Sequence, residues 1–265
     1  MKILYLCPDL GIPVLGRKGA SVHVRELVGA FGRAGHDVVL AAQRLNKSPW
    51  EKPAEVAANV IQVRPAAAAG AAVQAFKEFN ETLGQNNSLP GELRRILYNR
   101  ELEASLAQRL EDDPPDFIYE RASLYATAGV GLAKHFHAPL IVELNAPLAV
   151  EQSAYRATGL GALAAHAERW ALTQADAVCV VSTELAKHVR RFGVPTRKIH
   201  VMPNGVNPEL FCPAPSDRDS SSSSSSSSSS KNLENARTRT GTGKNEHCTL
   251  GLDRKSTRLN SSHRT

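Results

Sequence analysis

The segment Gly16-Arg17-Lys18-Gly19-Ala20-Ser21 places two glycines, two cations and a small hydroxyl residue directly ahead of an apolar helical stripe. That arrangement suits an anion. The first N–H groups of a helix lack intrahelical partners and carry the positive end of the macrodipole. Gly16 and Gly19 would let a phosphate approach the backbone, and Arg17 and Lys18 add charge. The bland alternative is a plain strand-to-helix loop with Ser21 as N-cap. The spacing is neither G-x-G-x-x-G nor G-x-x-x-x-G-K-[ST], which argues against a nicotinamide dehydrogenase or a P-loop nucleotidase. His23 follows in the expected first turn of the helix, beside the same cleft.

Three further polar groups fall just past apolar, strand-like runs: Glu120-Arg121, Glu143-Leu-Asn145 and Ser182. At the rim of a sheet such residues either contact a ligand or cap the next helix. Glu143 and Asn145 read as site groups, and Ser182 reads first as a cap, with Glu120 and Arg121 completing the cleft rim. His135 and His137 form an H-x-H pair, but they sit where a helix should end, and the dipole there favours an imidazolium. No metal is expected. His36 and His200 read as turn and strand-edge residues. Cys7, Cys179, Cys212 and Cys248 show no zinc or disulfide spacing.

The elements that must hold these groups alternate. Apolar runs at 3–6, 37–42, 59–64, 116–119, 139–143, 177–181 and 198–202 predict strands. Between them lie helices predicted from about 21, at 71–83, at 92–110 with Leu102, Leu106 and Leu110 in phase, up to about 136, at 160–174, and from 183 with Leu185, Val189 and Phe192 in phase. Val24, Leu27, Val28 and Phe31 form the first stripe. Gly193 closes the last helix. Strands joined through helices imply parallel pairing. The expected fold is α/β, a doubly wound, mostly parallel Rossmann-like sheet. Ligands in such folds bind outside the carboxyl ends of the strands.

The regularity ends at Asp217. Ser220–Ser230 is an unbroken serine run, followed by a Thr-, Arg-, Asn- and Gly-rich segment without periodicity. Too little apolar surface is available there to offset chain entropy, so 214–265 is expected to be a disordered tail. Its final residues resemble a translated sequencing adapter, and the tail is expected to be non-native. Charge follows the same division. The whole chain carries +6. Residues 217–265 hold nine Lys/Arg against five Asp/Glu, or +4, which leaves +2 for residues 1–216. No basic stripe tracks a phosphate backbone, so no nucleic-acid partner is expected. No signal peptide or membrane span is visible, so the expected compartment is the cytoplasm, with peripheral membrane association left open.

Three stretches resemble family-4 glycosyltransferases. They are Gly19-Ala-Ser-Val-His23 through Gly35-His36-Asp-Val-Val-Leu40, Asp116-Phe-Ile-Tyr-Glu120-Arg121, and Val180-Val-Ser182-Thr-Glu-Leu-Ala-Lys-His-Val189 with Ile199-His-Val-Met-Pro203-Asn204-Gly205-Val-Asn207. The resemblance covers residues 1 to about 213 and implies one half of a GT-B architecture, the acceptor-side N-terminal domain. It implies transfer of a hexose from a nucleotide-sugar to a hydroxyl of a glycan or lipid-linked acceptor, with retention and without a cofactor. By the same likeness Gly16, Lys18, Gly19, Ser21 and His23 would face the donor diphosphate, and Pro203, Asn204 and Gly205 would form the hinge. Two departures stand out. Many members carry His where this chain has Asn145; a branch with Glu-x-Asn-Ala-Pro matches better, with Glu143 and Asn145 orienting the acceptor. The C-terminal donor-binding domain, with its paired glutamates, is missing from the sequence, so this chain alone is expected to be inactive. The alternative is a non-catalytic module that binds a glycan or nucleotide-sugar.

Overall fold

The computed structural model describes residues 1–205, apart from Pro49, Glu51, Arg156 and Ala157, with Tyr155 as backbone only. The expected boundary at 213, the serine run, Cys212 and Cys248 lie outside the described residues.

Seven parallel strands form one sheet in the order β3-β2-β1-β4-β5-β6-β7. They are β1 (Lys2–Cys7), β2 (Asp37–Ala42), β3 (Asn59–Gln62), β4 (Phe117–Arg121), β5 (Leu140–Leu144), β6 (Ala177–Val180) and β7 (Ile199–Val201). The helices are α1 (Gly19–Arg33), α2 (Ala67–Thr82), α3 (Leu89–Arg109), α4 (Ala128–Phe136), α5 (Leu148–Tyr155), α6 (Gly161–Gln174) and α7 (Thr183–Arg191). The chain runs outward from β1 to β3, then returns to pair β4 on the other side of β1. That reversal is the topological switch point of a doubly wound sheet. The expected fold class is the one observed.

Two apolar layers cover the sheet, as unbroken strand hydrophobicity requires. On one face α1 presses Val24 and Val28 onto Ile3, Tyr5, Val38, Leu40 and Tyr119. On the other, Tyr98, Leu102 and Leu106 of α3, Leu132 of α4 and Leu185 and Val189 of α7 pack on Leu4, Ile118, Leu140, Val142, Val178 and Val180. Burial of a Leu or Ile side chain contributes about 1.5–3 kcal/mol, so these layers dominate the fold's stability.

Several boundaries differ from expectation. α1 begins at Gly19 with Lys18 as N-cap, so Ser21 lies inside the helix and not at its cap. α2 begins at Ala67, ahead of the expected 71, since the alanine run offers no period from which to read a start. α5 was not expected at all: its apolar residues make no continuous stripe, and a buried carboxylate from α6, Glu168, accepts the Ala149 N–H at 2.9 Å. β4 extends two residues further than its apolar run, so Glu120 and Arg121 are strand residues, while Glu143 lies within β5 as the run at 139–143 predicts.

Candidate functional site

Strand alternation decides which of the expected rim groups meet. Successive side chains point to opposite faces, so Glu120 and Arg121 part company. Arg121 shares the α1 face with Glu143, its register partner on β5. Its Nη1 donates to Glu143 Oε1 at 3.1 Å. Glu120 faces α4 instead. There it is 4% exposed and accepts the Gly129 N–H. Glu120 therefore stands beneath a helix and not at the open rim. Burial pushes its pKa up to about 7, only partly offset by that hydrogen bond.

Glu143 is the hub. One oxygen, Oε1, accepts from Arg121 and from Asn145 Nδ2, and lies 2.6 Å from His23 Nε2. The second, Oε2, is buried without a partner. The carboxylate is 4% exposed, and the ring of Tyr119, stacked on Tyr5 at 5.3 Å, stands beside it. Burial alone would raise its pKa. Hydrogen bonds from His23 and Asn145, with the charges of His23 and Arg121, outweigh that and hold it below the ordinary value of 4.5. An ionised Glu143 accepts from Nε2–H of His23, whose side chain keeps about a quarter of its surface exposed. Any effect of Glu143 on a ligand passes through the three side chains it holds.

The glycine loop leads into α1, the helix that carries His23. Gly16 is buried and turns tightly, its N–H donating to Pro13 O at 2.8 Å, and a Cβ there would meet Pro13 Cγ at 2.9 Å. Gly19 opens α1, and no atom would crowd a Cβ there. Lys18 and Arg17 are exposed. The first bond of α1 runs from Val22 N–H to the Lys18 carbonyl, so the N–H groups of 19–21 point outward from the helix start. Ser21 is fully buried, and its Oγ has no partner. His23 stands in the second turn of α1, one turn later than expected.

One residue that sequence reasoning missed organises the loop. Arg25 Nη1 donates to the carbonyls of Val14 at 2.9 Å, Gly16 at 2.6 Å and Ser21 at 3.3 Å. An arginine on an amphipathic helix carries no sequence signal for this; only the return of the loop over α1 reveals it.

The remaining candidates lie apart. Ser182 caps α7, its Oγ accepting from Leu185 N–H at 3.3 Å. Pro203, Asn204 and Gly205 are exposed and follow β7 without regular structure. His135 ends α4 and lies 2.9 Å from Glu111, and His137 is its left-handed C-cap at φ 54°. Among the described residues no three His, Cys, Asp or Glu side chains gather as a metal site. No helix among them is long and apolar enough to cross a membrane. The Cys7 thiol is pushed up to about 12 by burial, so it is no nucleophile at neutral pH.

Residues 17–210 match the family model of Glycosyltransferase Family 4, from the glycine loop through Pro203–Gly205. The chain belongs to Glycosyltransferase Family 4. No curated protein sequence matches it. Among solved structures, this Family 4 chain is similar to HepE of Anabaena in complex with UDP and glucose, at 16% identity and TM-score 0.47, covering 83% of this chain and 48% of that one. It is also similar to the lipopolysaccharide outer core galactosyltransferase WaaB, at 14% identity and TM-score 0.45, covering 82% and 50%. WaaG, a glycosyltransferase involved in lipopolysaccharide biosynthesis, aligns at 14% identity and TM-score 0.48, covering 82% and 49%. The Family 4 chain thus spans about half the length of these solved proteins.

Proposed function

We propose that this Family 4 domain is the acceptor-side half of a GT-B glycosyltransferase that moves a hexose from a nucleotide-sugar to an acceptor hydroxyl, with retention. The observation that carries the reading is the meeting of His23, Arg121 and Asn145 on one buried carboxylate, Glu143, beneath an uncapped helix start. These residues lie at the carboxyl ends of β4 and β5 and on α1, next to the switch point where such sheets bind ligands.

In this reading the C1–O bond of the donor breaks with its electron pair on the departing diphosphate, while the acceptor oxygen bonds to C1 and its hydroxyl proton passes to a phosphate oxygen of that diphosphate. Aligned N–H groups at the start of α1, with Lys18, stabilise the developing phosphate charge. Gly16 and Gly19 permit close approach, and Arg25 holds the loop that carries them. His23, fixed by Glu143, donates or accepts a hydrogen bond at the reacting end of the sugar. Asn145 hydrogen-bonds a sugar hydroxyl, though its amide cannot shuttle protons. The donor nucleotide would rest on a second domain that residues 1–205 do not form, reached through the hinge at Pro203, Asn204 and Gly205. A cytoplasmic setting, peripheral to a membrane when the acceptor is lipid-linked, belongs to the same reading.

The test combines calorimetry with a transfer assay. The 265-residue chain is expected to bind nucleotide-sugar weakly and to transfer sugar only when a donor-binding half is supplied. Transfer by the chain alone would overturn the claim that it is half an enzyme. Glycan binding without transfer under either condition would replace the enzyme with a binding module.

A further inference from the structure

A second polar basin lies away from Glu143. A cavity of about 840 Å³ opens at the carboxyl ends of β2 and β3, under the start of α2. Arg44, Arg64 and Arg94 line it, one from the loop after β2, one from the loop after β3 and one from α3. No carboxylate lines it, and none of the three arginines pairs with a carboxylate among the described residues. Arg44 spends its donors on the backbone carbonyls of Asn46 and Lys47, and Arg64 reaches only Gln62 Oε1 at 3.5 Å. The start of α2 closes the wall. Its N-cap is Ala66, without a capping side chain, and its first turn holds no acid. Gln43 also lines the cavity; it is 7% exposed, and its Nε2 is buried without a partner.

The charged groups that converge here are all cationic, and Gln43 adds an amide donor without a partner. A domain with a net charge of only about +2 has gathered three guanidinium groups on one concavity. Three cations and a helix start outweigh a single carboxylate. They match a phosphate monoester or diphosphate, with about two negative charges and three acceptor oxygens. Ala67, Gly70 and Val73 along α2 add small apolar groups to the lining.

We propose that this cavity binds a phosphoryl group borne by the acceptor, so that the substrate class is a phosphorylated or diphosphate-linked acceptor. The proposal rests on the acceptor-side reading above and adds to it the chemistry of the acceptor.

The test uses inorganic pyrophosphate as probe, titrated calorimetrically into the full chain at physiological ionic strength. Saturable binding is expected, weakened about tenfold or more by Arg64→Gln and by Arg94→Gln, since each removes a charge-assisted hydrogen bond. Both side chains are exposed, so the variants keep the fold. Lys187→Gln, at an exposed position on α7, is expected to leave pyrophosphate binding unchanged. Absence of saturable binding overturns the proposal. So does loss in Lys18→Gln with none in the arginine variants, which assigns the anion to the α1 loop and leaves the glycosyltransferase reading intact. Conversely, arginine-dependent binding in a protein that never transfers sugar keeps the cavity and removes the enzyme. Flotation with phosphatidylcholine vesicles doped with phosphatidic acid separates the sources. Arginine-dependent retention on these vesicles marks a lipid-borne phosphate, and pyrophosphate binding without retention marks a soluble one.

Discussion

Glu143 gives one oxygen to three donors and keeps the other buried without a partner, which makes its charge state a structural variable. Its folded pKa is depressed, so its stabilisation is present in full above the ordinary value of 4.5 and is lost as pH falls through the lower folded value. Glu143→Gln is expected to cost about 2 kcal/mol at pH 7 and to flatten the acid limb of a stability profile measured by urea unfolding. An acid limb as steep as the parent's would show that other carboxylates govern it. Glu120 behaves oppositely. Its pKa is raised to about 7, so folding favours its protonated form, and stability declines as pH rises from about 4.5 through 7. Glu120→Gln, which can still accept the Gly129 N–H, is expected to gain up to about 3 kcal/mol above pH 8 and to lose that advantage below pH 4.5. An equal gain at both ends would mean the carboxyl's charge is not what burial opposes. Residue types at strand ends singled out Glu143, Asn145 and Arg121 from the sequence, and the helical turn behind the glycine loop singled out His23. The same signal misread Glu120, because a strand that runs two residues further sends neighbouring side chains to opposite faces. Arg25 and the Arg44–Arg64–Arg94 group were invisible, since only sheet order and loop return bring their parts together.

At the scale of elements, the approach of α4 to β4 depends on one missing methyl. A Cβ on Gly129 would stand 1.8 Å from Glu120 Oε2, and both are buried. Gly129→Ala is expected to destabilise by about 1–3 kcal/mol through overpacking. Adding Glu120→Ala should recover most of that loss, a coupling a double-mutant cycle reads directly. Additive effects would show that the helix, not the carboxylate, limits the space. Elements with a strong period were legible: the apolar strands, the Val24–Phe31 stripe of α1 and the Leu185–Phe192 stripe of α7 with Gly193 at φ 90° behind it. α5, fixed by Ala149 packed with Tyr125 and Ala164 and bonded to Glu168, and the start of α2, drawn from an alanine run, had no period to read.

The whole molecule leaves apolar side chains unshielded at both ends of the sheet. Phe76, Phe79 and Leu83 are exposed on α2, and Val201 and Met202 on and after the edge strand β7. Groups of this kind mark surfaces that associate, and β7 is an edge strand among the described residues. The chain is therefore expected to self-associate at high concentration in light scattering; a monodisperse monomer would count against it. Yet all seven strands, both apolar layers and the Glu143 hub arise from residues 2–201. None of them waits for another domain to be completed. On the proposed reading as an acceptor-side half, the domain suits split-protein complementation: two polypeptides, expressed separately, recognising each other through preformed faces. Mixing this chain with a donor-binding half from a Family 4 relative should disperse the self-associated particles as it restores transfer, so that turbidity and activity report one assembly event.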